Sequence, residues 1–290
     1  MVIAVIGSGG QLGRAMMSHG GAHELVELRS ADLDIRDAAA VEQVFSKVQP
    51  NLVVNAAAYT EVDRAESEPD LAMAVNGDGV RNIAESATLI GARLVHISTD
   101  FVFGSGYVSP IRTSDKPCPI SAYGRSKLAG EEFISAIMKP EMALVIRTSW
   151  LYSGSPGDFV ATMMRLLSEK TSIGVVSDQV GTPTWTETLA TTIYELIDQG
   201  ASGLHHVTDS GVASWYDFAV AIRDLAIESG LLVSPGEIRP ISTSAYPTAA
   251  DRPSYSVLDK SRLTLLLEHD LPYWRHSLSQ CISRMAVGKP

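Results

Sequence analysis

The sequence has only two cysteines in 290 residues, Cys118 and Cys281, and no C-x-x-C pair. That excludes a disulfide framework and argues against a zinc site. Both thiols are expected to be structural, in a reducing compartment. Long apolar runs are also missing, so no membrane-spanning segment is expected. The N-terminal stretch VIAVIG follows Met1 directly, without a basic region or a small-residue cleavage site. No signal peptide is therefore expected, and the cytoplasm is the expected location. Positive charge is in deficit too, with a formal net charge of −10. A non-specific nucleic-acid binder would show a basic patch or stripe, whereas a small anion needs only local positive charge.

What is present is an ordinary globular composition, 45% hydrophobic and 19% charged, on a chain long enough to bury a sizeable core. The first half alternates short Val/Ile-rich runs (2–6, 24–28, 52–55, 93–98, 143–148) with helical patterns (11–18, 37–47, 70–90, 123–138). Nearly continuous apolar strands are covered on both faces. Strands alternating with helices make βαβ units and hence a Rossmann-like, doubly wound parallel α/β sheet. After about residue 150 turn signals crowd in, although helical patterns persist at 186–198 and 214–229, the second opening at Ser214 as N-cap. Residues 1–150 are thus expected to form a nucleotide-binding core. Residues 151–290 are expected to form mainly a smaller α/β substrate lobe, with some segments returning to the core. The cleft between them is the expected ligand site.

The stretch GSGGQLG (7–13) follows the first strand and opens a helix. Gly7, Gly10 and Gly13 are spaced G-x-x-G-x-x-G, while the G-x-G-x-x-G form fails at Leu12. A tight turn, close backbone approach and free helix N–H groups suit a diphosphate. After the second strand come Arg29 and Ser30; an arginine there favours the 2′-phosphate of NADPH over NADH, which stays possible. Asp34 and Ile35 are placed to line an adenine pocket. Ala56, Ala57 and Ala58 let a cofactor lie flat on strand ends. Ser98, Thr99 and Asp100 stand at a strand's C-terminal edge, where open α/β sheets bind ligands.

In AYGRSKLAGEE (122–132), Tyr123 is the only tyrosine with a lysine, Lys127, four residues on, a spacing that shares one helix face. Reducing a ketone needs a proton on oxygen as hydride reaches carbon. A phenol with its ordinary pKa of about 10 is a poor donor near neutrality unless a cation steadies the phenolate. Lys127 is expected to be that cation and Thr99 to hold the carbonyl oxygen. The small residues Gly124 and Ser126 are expected to leave room for the nicotinamide ribose.

With these pieces the chain resembles the dTDP-4-dehydrorhamnose reductase family of extended short-chain dehydrogenase/reductases. Matching stretches run almost end to end, among them VVNAAAYTEVDRAE, HISTDFVFGSG, SAYGRSKLAGEE, VVSDQVGTPTW and YPTAADRPSYSVLD. The resemblance implies NAD(P)H-dependent reduction of the C4 ketone of dTDP-4-dehydro-6-deoxy-L-mannose to dTDP-L-rhamnose. It makes Tyr123 the catalytic acid, with Lys127 and Thr99 completing a triad. Gly7, Gly10, Gln11, Leu12 and Gly13 would cradle the diphosphate. Asp34, Ile35, Ala56, Ala57 and Ala58 would lie along the cofactor, with Tyr123 and Lys127 at its nicotinamide end. Thr60, Thr99, Asp100 and Trp150 would face a dTDP-sugar, and Arg252 would serve either packing or the region near the substrate phosphates. The chain departs from the family pattern at Phe101 and Thr113 on the substrate side. Some members hold Mg2+ through glutamates at a dimer contact, but Ala15 occupies the early position here, so no metal is expected; monomer and homodimer both stay open. Two alternatives accompany this reading: a 4-ketoreductase for another dTDP-4-keto-6-deoxy sugar, and a non-catalytic NADP-binding subunit resembling methionine adenosyltransferase β. An intact Thr99, Tyr123 and Lys127 weighs against the second.

Overall fold

A computed structural model describes residues 1–287. The central sheet takes β1 (Val2–Ile6), β2 (Glu24–Leu28), β3 (Leu52–Asn55), β4 (Arg93–Thr99) and β5 (Ala143–Thr148), with Gly203–His206 at one edge. Its spatial order is 203–206, β5, β4, β3, β1, β2, and every pairing is parallel. The helices are α1 (Gln11–His19), α2 (Ala38–Val48), α3 (Pro69–Met73), α4 (Gly79–Ile90), α5 (Ala122–Ile137), α6 (Phe159–Glu169), α7 (Thr186–Asp198), α8 (Trp215–Glu228), α9 (Ser261–Leu267) and α10 (Trp274–Val287).

The period-two alternation of strands builds two cores from one sheet. Ile3 and Val5 of β1 join Val54, Leu144 and Ile146 under α1, α7 and α9. Ala4 and Ile6 join Val53 and Leu94 under α2, α4 and α5. A third core, with Tyr152, Trp185, Phe218 and Trp274, lies under α6, α8 and α10. The strand 203–206 and α7, late in sequence, thus join the central sheet and its helices, α7 packing on α1. Ala15 is 4% exposed in that packed face, where a charged side chain would be buried.

The 70–90 pattern is not one helix. Residues Ala74–Asp78 form a π segment between α3 and α4. Single π turns of this kind are frequent at functional sites. Helix starts follow local chemistry: Asp37 accepts from Ala39 N and Ala40 N, Ser121 from Gly124 N, and Ser214 forms a capping box with Asp217. Because β2 and β3 flank β1 on opposite sides, the chain reverses its winding at β1, which places a crevice at the C-terminal strand ends.

Candidate active site

The glycine loop sits in that crevice. Gly7 has φ +77, and a Cβ there would stand 2.6 Å from Ala57 N. A Cβ at Gly13 would stand 2.2 Å from the Gly7 carbonyl oxygen. Both positions therefore require glycine. Gly10 caps α1 without any side-chain hydrogen bond, and the first turn holds no acidic residue. Its leading N–H groups remain free for an anion. Leu12 is 5% exposed in the core, so its backbone alone faces the loop. Gln11 reaches across the crevice, its Oε1 accepting from Ser153 Oγ at 3.0 Å. Arg14 donates to Gly9 O and to Ser155 Oγ. The 153–158 turn thus covers the loop, held by Asp158, which accepts from Ser153 N, Gly154 N and Ser155 N. The cradle fits a dinucleotide diphosphate.

After β2 the side chains are partly engaged. Arg29 runs beside Gly9 but pairs with Glu27 at 2.7 Å. Ser30 is exposed. Asp34 pairs with Arg36 at 2.6 Å, and hydrogen bonds from Arg36 hold its carboxyl below the usual range. Ile35 is buried and packs on Gly79 of α4. Ala56, Ala57 and Ala58 are half-buried at the end of β3.

Thr99, Asp100 and Tyr123 converge at the end of β4. Tyr123 is 9% exposed, with the Phe101 ring edge-on at 5.5 Å. Burial pushes its phenol up to about 12, hydrogen bonding with Thr99 pulls the other way, and Asp100 adds to the rise. The Thr99 hydroxyl donates to Asp100 Oδ1 at 3.0 Å. Asp100 is 2% exposed, its Oδ2 has no partner, and burial raises its carboxyl to about 6.

Lys127 differs from the sequence expectation. It is 2% exposed, donates to Ile97 O at 2.6 Å and lies 3.4 Å from His96 Nε2. Burial lowers its ammonium to about 8, with Glu131 opposing. Its charge is turned toward β4, so it does not offset the rise of the Tyr123 phenol. Gly124 and Ser126 are engaged in packing. A Cβ on Gly124 would stand 2.2 Å from Phe101 O, and Ser126 Oγ bonds Tyr123 O and Asn76 Nδ2.

Past the end of β5, Trp150 takes an unusual φ of +47 and stacks on Trp215, ring centroids 3.6 Å apart and 6° from parallel. Trp215 lines a cavity of about 550 Å³ with Asp63, Phe159, Gln179, Tyr246 and Arg252. Arg252 forks onto Asp63 at 2.7 and 3.0 Å, tying the 246–252 turn to the segment that follows β3. Thr60 is exposed. Among the described residues no cluster of three or more His, Cys, Asp or Glu is arranged to hold a metal ion, and no helix is long and apolar enough to cross a membrane.

The family model for the RmlD substrate binding domain matches residues 1–287. A dTDP-4-dehydrorhamnose reductase from Mycolicibacterium smegmatis is 39% identical over 97% of this chain and 85% of its own. The chain belongs to the dTDP-4-dehydrorhamnose reductase family. A solved dTDP-4-dehydrorhamnose reductase from Clostridium acetobutylicum superposes with TM-score 0.92 at 39% identity, covering 98% of this chain and 99% of that one. One from Bacillus anthracis, in complex with NADP, gives 0.92 at 35% identity over the same shares.

In this reductase-family chain, several residues that shape the site carried no motif. Asn76, in the π segment, accepts from Tyr59 N and donates to Tyr59 O and Ser126 Oγ, joining the β3 exit to α5. Its only sequence signal is the Asn-Gly pair inside an apolar helical pattern. Glu131, one turn beyond Lys127, forks onto Arg147 at 2.6 and 2.9 Å and accepts from Ser98 Oγ. His96 interrupts an apolar strand with a wholly buried polar ring.

Proposed function

We propose that this protein reduces the C4 ketone of dTDP-4-dehydro-6-deoxy-L-mannose to dTDP-L-rhamnose, with NADPH preferred over NADH. One observation carries it: a buried, protonated Tyr123 stands beside Thr99 and Asp100 at the mouth of a crevice whose glycine loop fits a dinucleotide. When bound, the nicotinamide supplies the hydride.

The protein's own groups supply the rest. Thr99 orients the ketone oxygen. Tyr123, held as the phenol at neutral pH, gives its proton to that oxygen as negative charge develops there, and is left as phenolate. Lys127 holds a proton one helical turn away. Asp100 Oδ2, buried without a partner, is available to a sugar hydroxyl. Trp150 and Trp215 wall the sugar-nucleotide side, and the cavity beyond them has the size of a small-ligand site. Loss of NADPH absorbance on adding the 4-keto sugar is the direct test. Bound cofactor without turnover would sink the reading, and turnover only with another 4-keto-6-deoxy sugar would reassign the substrate.

Two variants test the ends of the site. Arg29→Ala should weaken NADPH roughly 10- to 100-fold, the value of a charge-assisted contact, and leave NADH nearly unchanged in fluorescence titrations. Equal weakening of both would refute a 2′-phosphate contact. Arg252→Ala should raise KM for the sugar nucleotide about tenfold with little change in kcat, because it frees the 246–252 turn without touching the reacting atoms. A fall in kcat at constant KM would place Arg252 at the chemistry instead.

A further inference from the structure

A buried hydrogen-bond chain leads from the cofactor side of the sheet to Lys127. Ala57 N–H donates to Asn55 Oδ1 at 3.1 Å. That contact fixes the orientation of the Asn55 amide, because the flipped amide would face one donor with another. Asn55 Nδ2 then meets His96 Nδ1 at 3.1 Å as a donor. His96 is wholly buried, and burial followed by the charge of Lys127 keeps it neutral. A neutral imidazole that accepts at Nδ1 carries its proton on Nε2. Nε2 is the atom 3.4 Å from Lys127 Nζ.

We infer that His96 is a positioning residue that presents an N–H, not a lone pair, to Lys127, in a tautomer dictated by Asn55. An amine at Lys127 satisfies the arrangement: it donates to Ile97 O and accepts from His96. An ammonium has no lone pair to accept with and faces the imidazole N–H as a second donor. The chain thus loosens the proton on Lys127, matching its acidity to that of a group that must release a proton near neutral pH. The link to catalysis rests on Lys127 being the proton-holding partner of Tyr123; the tautomer itself does not.

Other groups around α5 do not account for it. Asp100 faces Tyr123, Glu66 accepts from Ala122 N, Arg64 pairs with Glu68, and Asp78 pairs with Arg81. Asp70 on α3 is exposed, as are Glu85 on α4 and Arg125 on α5 itself. Arg147 from β5 is matched by Glu131. Glu131 favours the ammonium, opposite in sign to His96.

The test uses NMR on the cofactor-free protein. Nitrogen-15 spectra of the imidazole should show wild-type His96 protonated at Nε2. Asn55→Asp, which is isosteric and still accepts from Ala57 N, should move that proton to Nδ1 and turn a lone pair toward Lys127. Lysine labelled at Cε, assigned through Lys127→Met, should then titrate about one pH unit higher, roughly tenfold in proton affinity. His96→Gln adds no charge and can turn an amide oxygen to the ammonium, so it should raise the midpoint as well. The alkaline limb of kcat should follow in both variants. An Nδ1–H tautomer in wild type overturns the inference. So does a Lys127 midpoint that stays or falls in either variant, since a rise confined to Asn55→Asp would be the effect of added charge alone. Absent turnover with these titrations intact would refute the substrate reading and leave the tautomer standing.

Discussion

Tyr123→Phe should lose about 10²- to 10⁴-fold in kcat, the usual worth of a placed general acid, while binding NADPH within a few-fold of wild type. The ring is held by the Phe101 edge and by burial, and its hydroxyl is engaged by Thr99, itself a residue of the site. Removing one oxygen therefore deletes the proton and little else. Steady-state rates beside a cofactor titration check both halves. Nearly intact turnover would remove Tyr123 from the chemistry, and loss of cofactor binding in parallel with rate would make it a structural residue. The pH dependence has a definite sign. With the phenol raised to about 12, Tyr123 stays protonated across the neutral range and contributes no limb there. Asp100, raised to about 6, and Lys127, lowered to about 8, are the nearby groups that change charge around neutrality.

Glu131→Ala should destabilise the protein by about 3–5 kcal/mol, since it leaves a buried cation without its partner. Arg147 is 3% exposed, and its Nη1 already lacks a hydrogen bond. Its guanidinium lies over the Phe103 ring at 4.8 Å, which compensates only in part. Urea unfolding should show a lower midpoint with an unchanged m-value. Replacing both partners with apolar residues, Glu131→Leu with Arg147→Met, should restore much of the loss, as buried pairs often tolerate joint replacement. A loss below about 1 kcal/mol in the single variant would mean that water reaches Arg147. The same variant removes the group that favours the Lys127 ammonium, so Lys127 should become still more acidic.

Much of the architecture was legible in local pattern. Continuous Val/Ile runs separated by helical periods suffice for a parallel sheet, because each crossover places its helix on a face that must be covered. The glycine spacing was legible for a similar reason: a strand, a tight turn and a helix start are all local. The roles of Arg29, Asp34 and Ile35 were less legible. Position after a strand says where the backbone goes, whereas Glu27, Arg36 and Gly79 decide what those side chains touch. The 70–90 pattern read as one helix because its apolar period continues through the π segment that Asn76 anchors.

The sequence by itself determined the doubly wound sheet, the glycine cradle and the presence of Thr99, Tyr123 and Lys127 within one βα unit. These follow from short-range sterics and from which faces must be buried. The tertiary structure alone decided which way the Lys127 charge points and which proton His96 carries. It also decided that Arg147 needs Glu131 and that the 153–158 turn reaches the glycine loop. Each of these depends on groups from distant strands sharing a site shielded from water. There, hydrogen-bond direction and desolvation set protonation, and no spacing along the chain encodes them.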